Sequence, residues 1–336
     1  MAPTVATSPA AAAGRLGCLV LLVFLAGCEP GPTPAPAGPT GTASTPDGNA
    51  TGWVRRSDAP IALTEVAAAA FDGRIWLAGG LTAGGAGSTD VLVYNPATDA
   101  WSAGPALPEP VHHAALVSDG TALWLVGGYV GDGFDRPTAA VRRLDPDDGT
   151  WRDDVFLPEP RAAGAAAWDG QRIVYAGGVQ PGALASEVFA LEGETWRRIG
   201  RLPNAREHLA ATSDGAGSTY VLGGRAGGLG GNLAVVDLVS DDEVATIGQV
   251  PTPRGGVAAF WWPDLGACLV GGESPGGTNP EVECIDADGK VTRLAGLGHA
   301  RHGLGAAVVD GTAFVLLGGD RPGLFVSATV EALELP

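Results

Sequence analysis

The chain has 336 residues, 45% of them hydrophobic, with 53 glycines, 26 prolines and a formal charge of −17. That apolar fraction supplies a core and excludes a disordered chain, while glycine and proline without a triplet period exclude collagen and point to a turn-rich β architecture. A surface that tracks nucleic acid needs clustered lysine and arginine, and a chain whose single lysine is Lys290 excludes that partner.

The N-terminus carries an address. Arg15 is the only basic residue before an apolar run from Leu16 to Gly27, shorter than the roughly 20 residues a spanning helix needs, so residues 1–27 read as a signal peptide. The run ends in Leu25-Ala26-Gly27-Cys28, which resembles the lipobox of bacterial lipoproteins. The resemblance implies cleavage before Cys28, lipidation of its thiol, and a membrane-anchored, extracytoplasmic protein at the cell surface or in the periplasm. An ordinary secretory leader with a chance cysteine is the alternative. Residues 28–51 are rich in Pro, Gly, Ser and Thr and nearly free of large apolar side chains, which makes them a tether of on the order of 25–30 Å as a flexible coil.

Behind the tether a unit repeats. Glycine pairs close a short apolar run at Gly79-Gly80, Gly127-Gly128, Gly177-Gly178, Gly223-Gly224, Gly271-Gly272 and Gly318-Gly319, in steps of 48, 50, 46, 48 and 47 residues. A period this regular means a repeat architecture. Each unit has a proline hook, a run of small residues such as Val66–Phe71, and an Asp-Gly turn at Asp72, Asp119, Asp169, Asp214 or Asp310, which the fifth unit replaces by Pro263–Gly266. Asp-Gly is the strongest short hairpin signal. A second strand runs into the glycine pair; a glycine-rich loop, a third strand and a fourth follow, the fourth marked by Trp101, Trp151 or Trp196 in the first three units.

Four short strands per unit of about 47 residues resemble the kelch repeat of β-propellers. The resemblance covers residues 53–336 and is weaker from the fourth unit on, where Glu243–Val250 and Lys290–Leu297 carry no tryptophan. It implies an all-β, six-bladed kelch-type β-propeller of four-stranded blades over residues 52–336. The chain ends in a third strand without a fourth, and Gly52–Pro60 is a fourth strand without the preceding three. Residues 53–58 are therefore expected to complete the last blade and remove an open edge. Cys268 and Cys284 fall on neighbouring strands of blade five, where a disulfide in an oxidising exterior and buried free thiols are the two alternatives.

In such a propeller the loops before the first strand and after the second share one face. Three residues past each hook proline stand Leu63, Val111, Arg161, Arg206, Arg254 and, with Gly298 for proline, Arg301. All the histidines fall in the same loops: His112, His113, His208, His299 and His302. With Glu65 and Glu207 they form the candidate ligand-binding set, a mixed polar ring at the channel mouth, bordered by Arg136, Arg225 and Arg321. Four arginines on one rim of an acidic protein would focus an anionic group; alternatively they hold their own loops. Glu65, His113 and His208 share one repeat position, which could present metal ligands, but solvated loop histidines are the competing reading and no metal or cofactor is assigned.

The expected function is recognition: a lipid-anchored, monomeric scaffold that binds a glycan or protein partner, through an anionic group, with its loop face. The competing class is an enzyme, a sugar epimerase or mutarotase resembling the sialic-acid mutarotases, which needs an acid–base pair beside an anion clamp. Galactose-oxidase-like chemistry is disfavoured because Cys268 and Cys284 sit together in one blade and the tyrosines fall within repeat strands.

Overall fold

The computed structural model describes residues 52–145 and 147–334; the leader, Cys28 and the tether lie outside the described residues. Six four-stranded antiparallel sheets follow one another along the chain. Blade one is Ala67–Phe71, Arg74–Ala78, Val91–Asn95 and Ala100–Ala103, and the later blades repeat it. Blade six takes Gly305–Val309, Thr312–Leu316 and Val330–Glu334 from the C-terminus and Val54–Arg55 from the N-terminus, with Val54 opposite Ala332. The ring is closed by strand pairing between the chain's two ends, as the unpaired half-blades implied.

Composition follows radius. Alanine and glycine dominate the innermost strands because six of them converge on one axis, where Ala67, Ala115, Ala165, Ala210, Ala258 and Gly305 line a narrow channel. The second and third strands are buried on both faces and use larger side chains. The core is a set of wedges between blades: Ile75, Leu77 and Tyr94 of blade one pack on Phe314 and Leu316 of blade six, while Ala67 and Ala78 meet Leu116, Leu123 and Leu125 of blade two. Each fully buried leucine contributes about 1.5–3 kcal/mol. Tryptophan on the outer strand ties a blade to its predecessor: Trp101 Nε1 donates to Ser57 O, Trp151 Nε1 to Pro105 O and Trp53 Nε1 to Ala295 O, at 2.8–3.0 Å.

The Asp-Gly signal resolves into two geometries. Asp72-Gly73 and Asp310-Gly311 both take positive φ at both residues, the two-residue hairpin turn. At Asp119, Asp169 and Asp214 only the glycine does so, and the aspartate Oδ1 accepts main-chain N–H groups from the far side of the turn, such as Thr121 and Ala122. There the side chain substitutes for the turn's backbone.

The glycine pair is the joint between blades. The N–H of its second residue donates to the carbonyl of the arginine-position residue in the next blade: Gly80 to Val111, Gly128 to Arg161, Gly178 to Arg206, Gly224 to Arg254, Gly272 to Arg301 and Gly318 to Leu63, at 2.8–3.0 Å. At the first glycine a Cβ would approach that same carbonyl, to 2.5 Å for Gly127 and 2.7 Å for Gly271. In blade six the joint is shifted by one residue from the repeat read in the sequence: Leu317, at φ 56°, takes the first place and Gly318 the second.

Cys268 and Cys284 face each other across neighbouring strands and are joined by a disulfide. A loop of 16 residues closed in the unfolded chain stabilises by about 3 kcal/mol in the chain-entropy account, so chemical denaturation in reductant should show a loss of about that size. Gly127→Ala is expected to cost about 2–4 kcal/mol through the forced carbonyl contact, whereas Gly230→Ala, with open space around its Cβ, should change stability by less than about 0.5 kcal/mol. Equilibrium urea unfolding reads both.

Candidate functional site

Each first strand is entered through a residue with left-handed backbone. Glu65, His113, Ala163, His208, Gly256 and Gly303 have φ between 52° and 64°. Their main chains are linked around the axis. The N–H of His113 donates to Glu65 O, Ala163 to His113 O, His208 to Ala163 O, Gly256 to His208 O and Gly303 to Gly256 O; Val66 N–H to Gly303 O closes the circle, all at 2.8–3.3 Å. Left-handed backbone costs a residue with a Cβ about 1–2 kcal/mol. Three of the four non-glycine places hold a histidine or a glutamate, and strain gathered at reactive side chains marks a site.

The ring encloses a cavity of about 70 Å³ lined by these residues and the apolar residues that follow them. That holds a few waters or an ion, far below the roughly 300 Å³ at which ligand pockets begin. His113 Nε2 lies 3.0 Å from His208 Nε2 and 3.3 Å from Glu65 Oε2. His113 Nδ1 meets His112 Nδ1 at 2.6 Å, and His112 Nε2 meets Gly133 O at 3.1 Å. His208 Nδ1 is 2.6 Å from Glu207 Oε2. Arg225 donates to Glu207 Oε1 (2.7 Å), Glu273 Oε1 (2.8 Å) and His208 Nε2 (3.0 Å). His302, on the far side, sits between Glu65 and Glu273.

Burial controls the protonation of this group. It pushes the His113 imidazolium down to about 3 against the attraction of Glu65, so the ring is neutral. Burial also works to raise Glu207, but the hydrogen bonds and charges of His208 and Arg225 win and hold its carboxyl at about 2. Glu65 behaves alike: burial opposes ionisation, and His113, His302 and His208 together keep it well below the usual carboxylate range. His302 is raised, because Glu65 and Glu273 outweigh its desolvation.

The structure thus brings Glu65, His113, His208, Glu207 and His302 together, with His113 and His302 buried and the other three partly so; the picture of fully solvated loop histidines does not hold for His113, His208 and His302, while His299 is exposed. Glu273 joins the group unforeseen. Its signal was its place directly after a glycine pair, the same place that Arg225 takes in blade four, where it pairs with the loop before the first strand.

The four arginines do not form a rim. Arg161, Arg206, Arg254 and Arg301 are all 0% exposed, and each guanidinium turns into its own blade. Arg206 pairs with Asp237 (2.8 Å), Arg254 with Glu283 (2.6 Å) and Arg301 with Glu331 (2.6 Å), all acids on third strands. Each also donates to the carbonyl of the second-strand residue paired with that acid: Val221, Leu269 or Val315. Arg161 finds Phe189 at the acid's position, stacks over its ring and reaches Glu187 and Glu159 instead. Blade two reverses the pair, with Val111 in the loop and Arg142 on the strand bonded to Glu109 and Asp153. Blade one dispenses with charge and uses Leu63 and Leu92. Arginine is obliged here to hold the loop whose carbonyl receives the neighbouring blade, and the expected anion-focusing ring is absent among the described residues. With three carboxylates against Arg225, the mouth is acidic.

A model described as "Kelch motif" matches residues 62–108. The chain is a six-bladed propeller of kelch-type repeats. Its sequence is 30% identical over 258 residues to human Kelch-like protein 34, covering 68% of this chain and 38% of that one. It is 25% identical over 301 residues to Kelch-like protein terF of Aspergillus terreus, covering 84% and 56%. The match covers less than two thirds of these curated relatives: 38% of Kelch-like protein 34, 56% of Kelch-like protein terF and 32% of the Myxoma virus Kelch repeat protein M-T8. Its fold is similar to the structure of YjhT, with a TM-score of 0.68 over 82% of this chain and 96% of that one, at 14% identity.

Removing one partner of a buried ion pair strands the other. Arg254→Ala is therefore expected to cost about 3–5 kcal/mol in urea unfolding, and Arg152→Ala, whose ion pairs with Asp145 and Asp148 are at the surface, less than about 1 kcal/mol.

Proposed function

We propose that this kelch propeller is an exported, lipid-anchored, monomeric scaffold that recognises a protein partner with the face carrying the channel mouth. The observation that carries the reading is an apolar rim around that mouth. Phe134, 50% exposed, stands edge-on to the rings of His112 and His113. In the blade-six loop Leu324 and Phe325 are also exposed, and Arg321 stacks on Phe325 while its carbonyl meets His302 Nε2 at 2.9 Å. Exposed aromatic anchors around a polar centre suit a protein surface. Relatives named for their kelch repeats favour the same class of partner.

A glycan fits the mouth less well, since the cavity is smaller than a sugar ring needs and its border is apolar. The mutarotase reading loses its anion clamp, because the arginines that would supply it are spent within the blades. The partner's anionic group is dropped for the same reason. Export is supported by the Cys268–Cys284 disulfide, which an oxidising compartment preserves, and anchoring by the sequence ending in Cys28.

Selection of a displayed peptide library on the folded chain tests recognition. Peptides should be enriched whose binding falls at least about tenfold in Phe134→Ser/Phe325→Ser, as expected for aromatic anchors, and survives Phe156→Ser, a change at an exposed position on the outer strand of blade two. Peptides indifferent to the rim, or binding only on a glycan array, would sink the reading. For the anchor, Cys28→Ser should move the protein from the membrane to the soluble extracytoplasmic fraction; unchanged membrane association would refute lipidation.

A further inference from the structure

The hydrogen bonds at the mouth dictate which ring nitrogens carry protons. A carbonyl only accepts, so His112 Nε2 donates to Gly133 O, which leaves the neutral ring with a bare Nδ1. His113 Nδ1, 2.6 Å away, must then carry a proton, and His113 Nε2 is bare. His208 Nδ1 donates to the Glu207 carboxylate, so that in the neutral ring, the form that binds a metal, Nε2 is bare. These two ring nitrogens lie 3.0 Å apart, and Glu65 Oε2 stands 3.3 Å from His113 Nε2. Arg225 donates to the His208 Nε2 lone pair, a bond an ion would displace while Arg225 keeps Glu207 and Glu273; nothing among the described residues donates to His113 Nε2. His113 Nε2, with a second ring nitrogen and a carboxylate oxygen beside it, offers its electron pair to an acceptor.

We propose that His113 Nε2, His208 Nε2 and the Glu65 carboxylate bind a divalent first-row transition ion of the zinc class at the axial mouth. The ligand atoms lie within 4.8 Å of one another. Two zinc–nitrogen bonds at the tetrahedral angle set their nitrogens about 3.3–3.4 Å apart, and the 3.0 Å between these rings reaches that by a small rotation of either ring. The outer contacts are those of a metal centre: Glu207 on the far nitrogen of His208, itself held by Arg225, and His112 on the far nitrogen of His113. Independently, His302 is 1% exposed, and its Nδ1 has no hydrogen-bond partner while standing 3.3 Å from Glu65 Oε1. It stands beside Oε1 of the carboxylate and leaves Oε2 to the ion. Two imidazoles and one carboxylate select zinc and its neighbours over calcium and magnesium, which require oxygen sets. The cavity above leaves room for water on the ion.

The test uses the chain without a polyhistidine tag, stripped with chelator and titrated with Zn²⁺ by calorimetry and with Co²⁺ by visible absorption. Binding of one ion per chain is expected, with a cobalt d–d band, and with Ca²⁺ binding at least about 100-fold weaker. His113→Ala and His208→Ala should each weaken Zn²⁺ by at least about 100-fold. Glu207→Gln should weaken it by about 10–100-fold with the cobalt band retained, and His299→Ala should match the wild type. Wild type that takes up neither ion at one per chain, or calcium binding equal to zinc, overturns the proposal whatever the variants do. So does zinc affinity unchanged in folded His113→Ala or His208→Ala. Nitrogen NMR showing a proton shared by the two rings, undisturbed by zinc, would also sink it.

Discussion

One hydrogen bond, made six times, holds this molecule in its shape: the N–H of the residue ending a second strand to a carbonyl in the next blade's entry loop. In five of the six joints the two segments pass so closely that a Cβ on the preceding glycine would meet the accepting carbonyl, blade six having Leu317 at that place, and the accepting carbonyl must not move. In blades three to six the residue that owns it is an arginine, anchored into its own blade by an acid, by carbonyls or by an aromatic ring. Blades one and two achieve the same with leucine or with the charges exchanged. The spot tolerates several chemistries because its requirement is a filled, satisfied interior, and a buried charge with partners meets it as well as an apolar side chain does.

The joint also sets the site. Holding each entry loop at a fixed radius forces the chain to turn sharply into the innermost strand, and the turn places six residues in left-handed conformation around the axis. Backbone symmetry is nearly sixfold; side-chain chemistry is not. Glu65, His113 and His208 project into the centre, Ala163 is inert, and Gly256 and Gly303 leave space, a Cβ on Gly303 falling 2.7 Å from the Glu65 carboxyl. Glycine at that place is what lets the Glu65 side chain lie where it meets the histidines. A symmetric scaffold thus carries an asymmetric polar centre within an apolar rim.

Much of this was legible in the residues. Spacing of the glycine pairs gave blade number, and the unmatched half-blades at the two ends gave closure, because a repeat that cannot bury itself alone must be completed by its neighbour. The position shared by Glu65, His113 and His208 gave a common radial address. What went astray was direction. Arginine is a surface residue by habit, and the acids that draw Arg206, Arg254 and Arg301 inward lie about 30 residues away on third strands. Glu273 was overlooked for a similar reason: only strand register brings it beside Arg225 and His302.

The sequence by itself therefore determined the architecture, since periodic small residues, turn residues and β-branched runs act locally and each unit repeats the same instructions. It also gave Glu65, His113 and His208 one shared repeat position. Tertiary structure decided which loop residues face the axis and which face their own blade, and it brought two histidines 95 residues apart in the chain to 3.0 Å of one another. Exposure, protonation and convergence depend on groups far apart in the chain, and no local pattern encodes them.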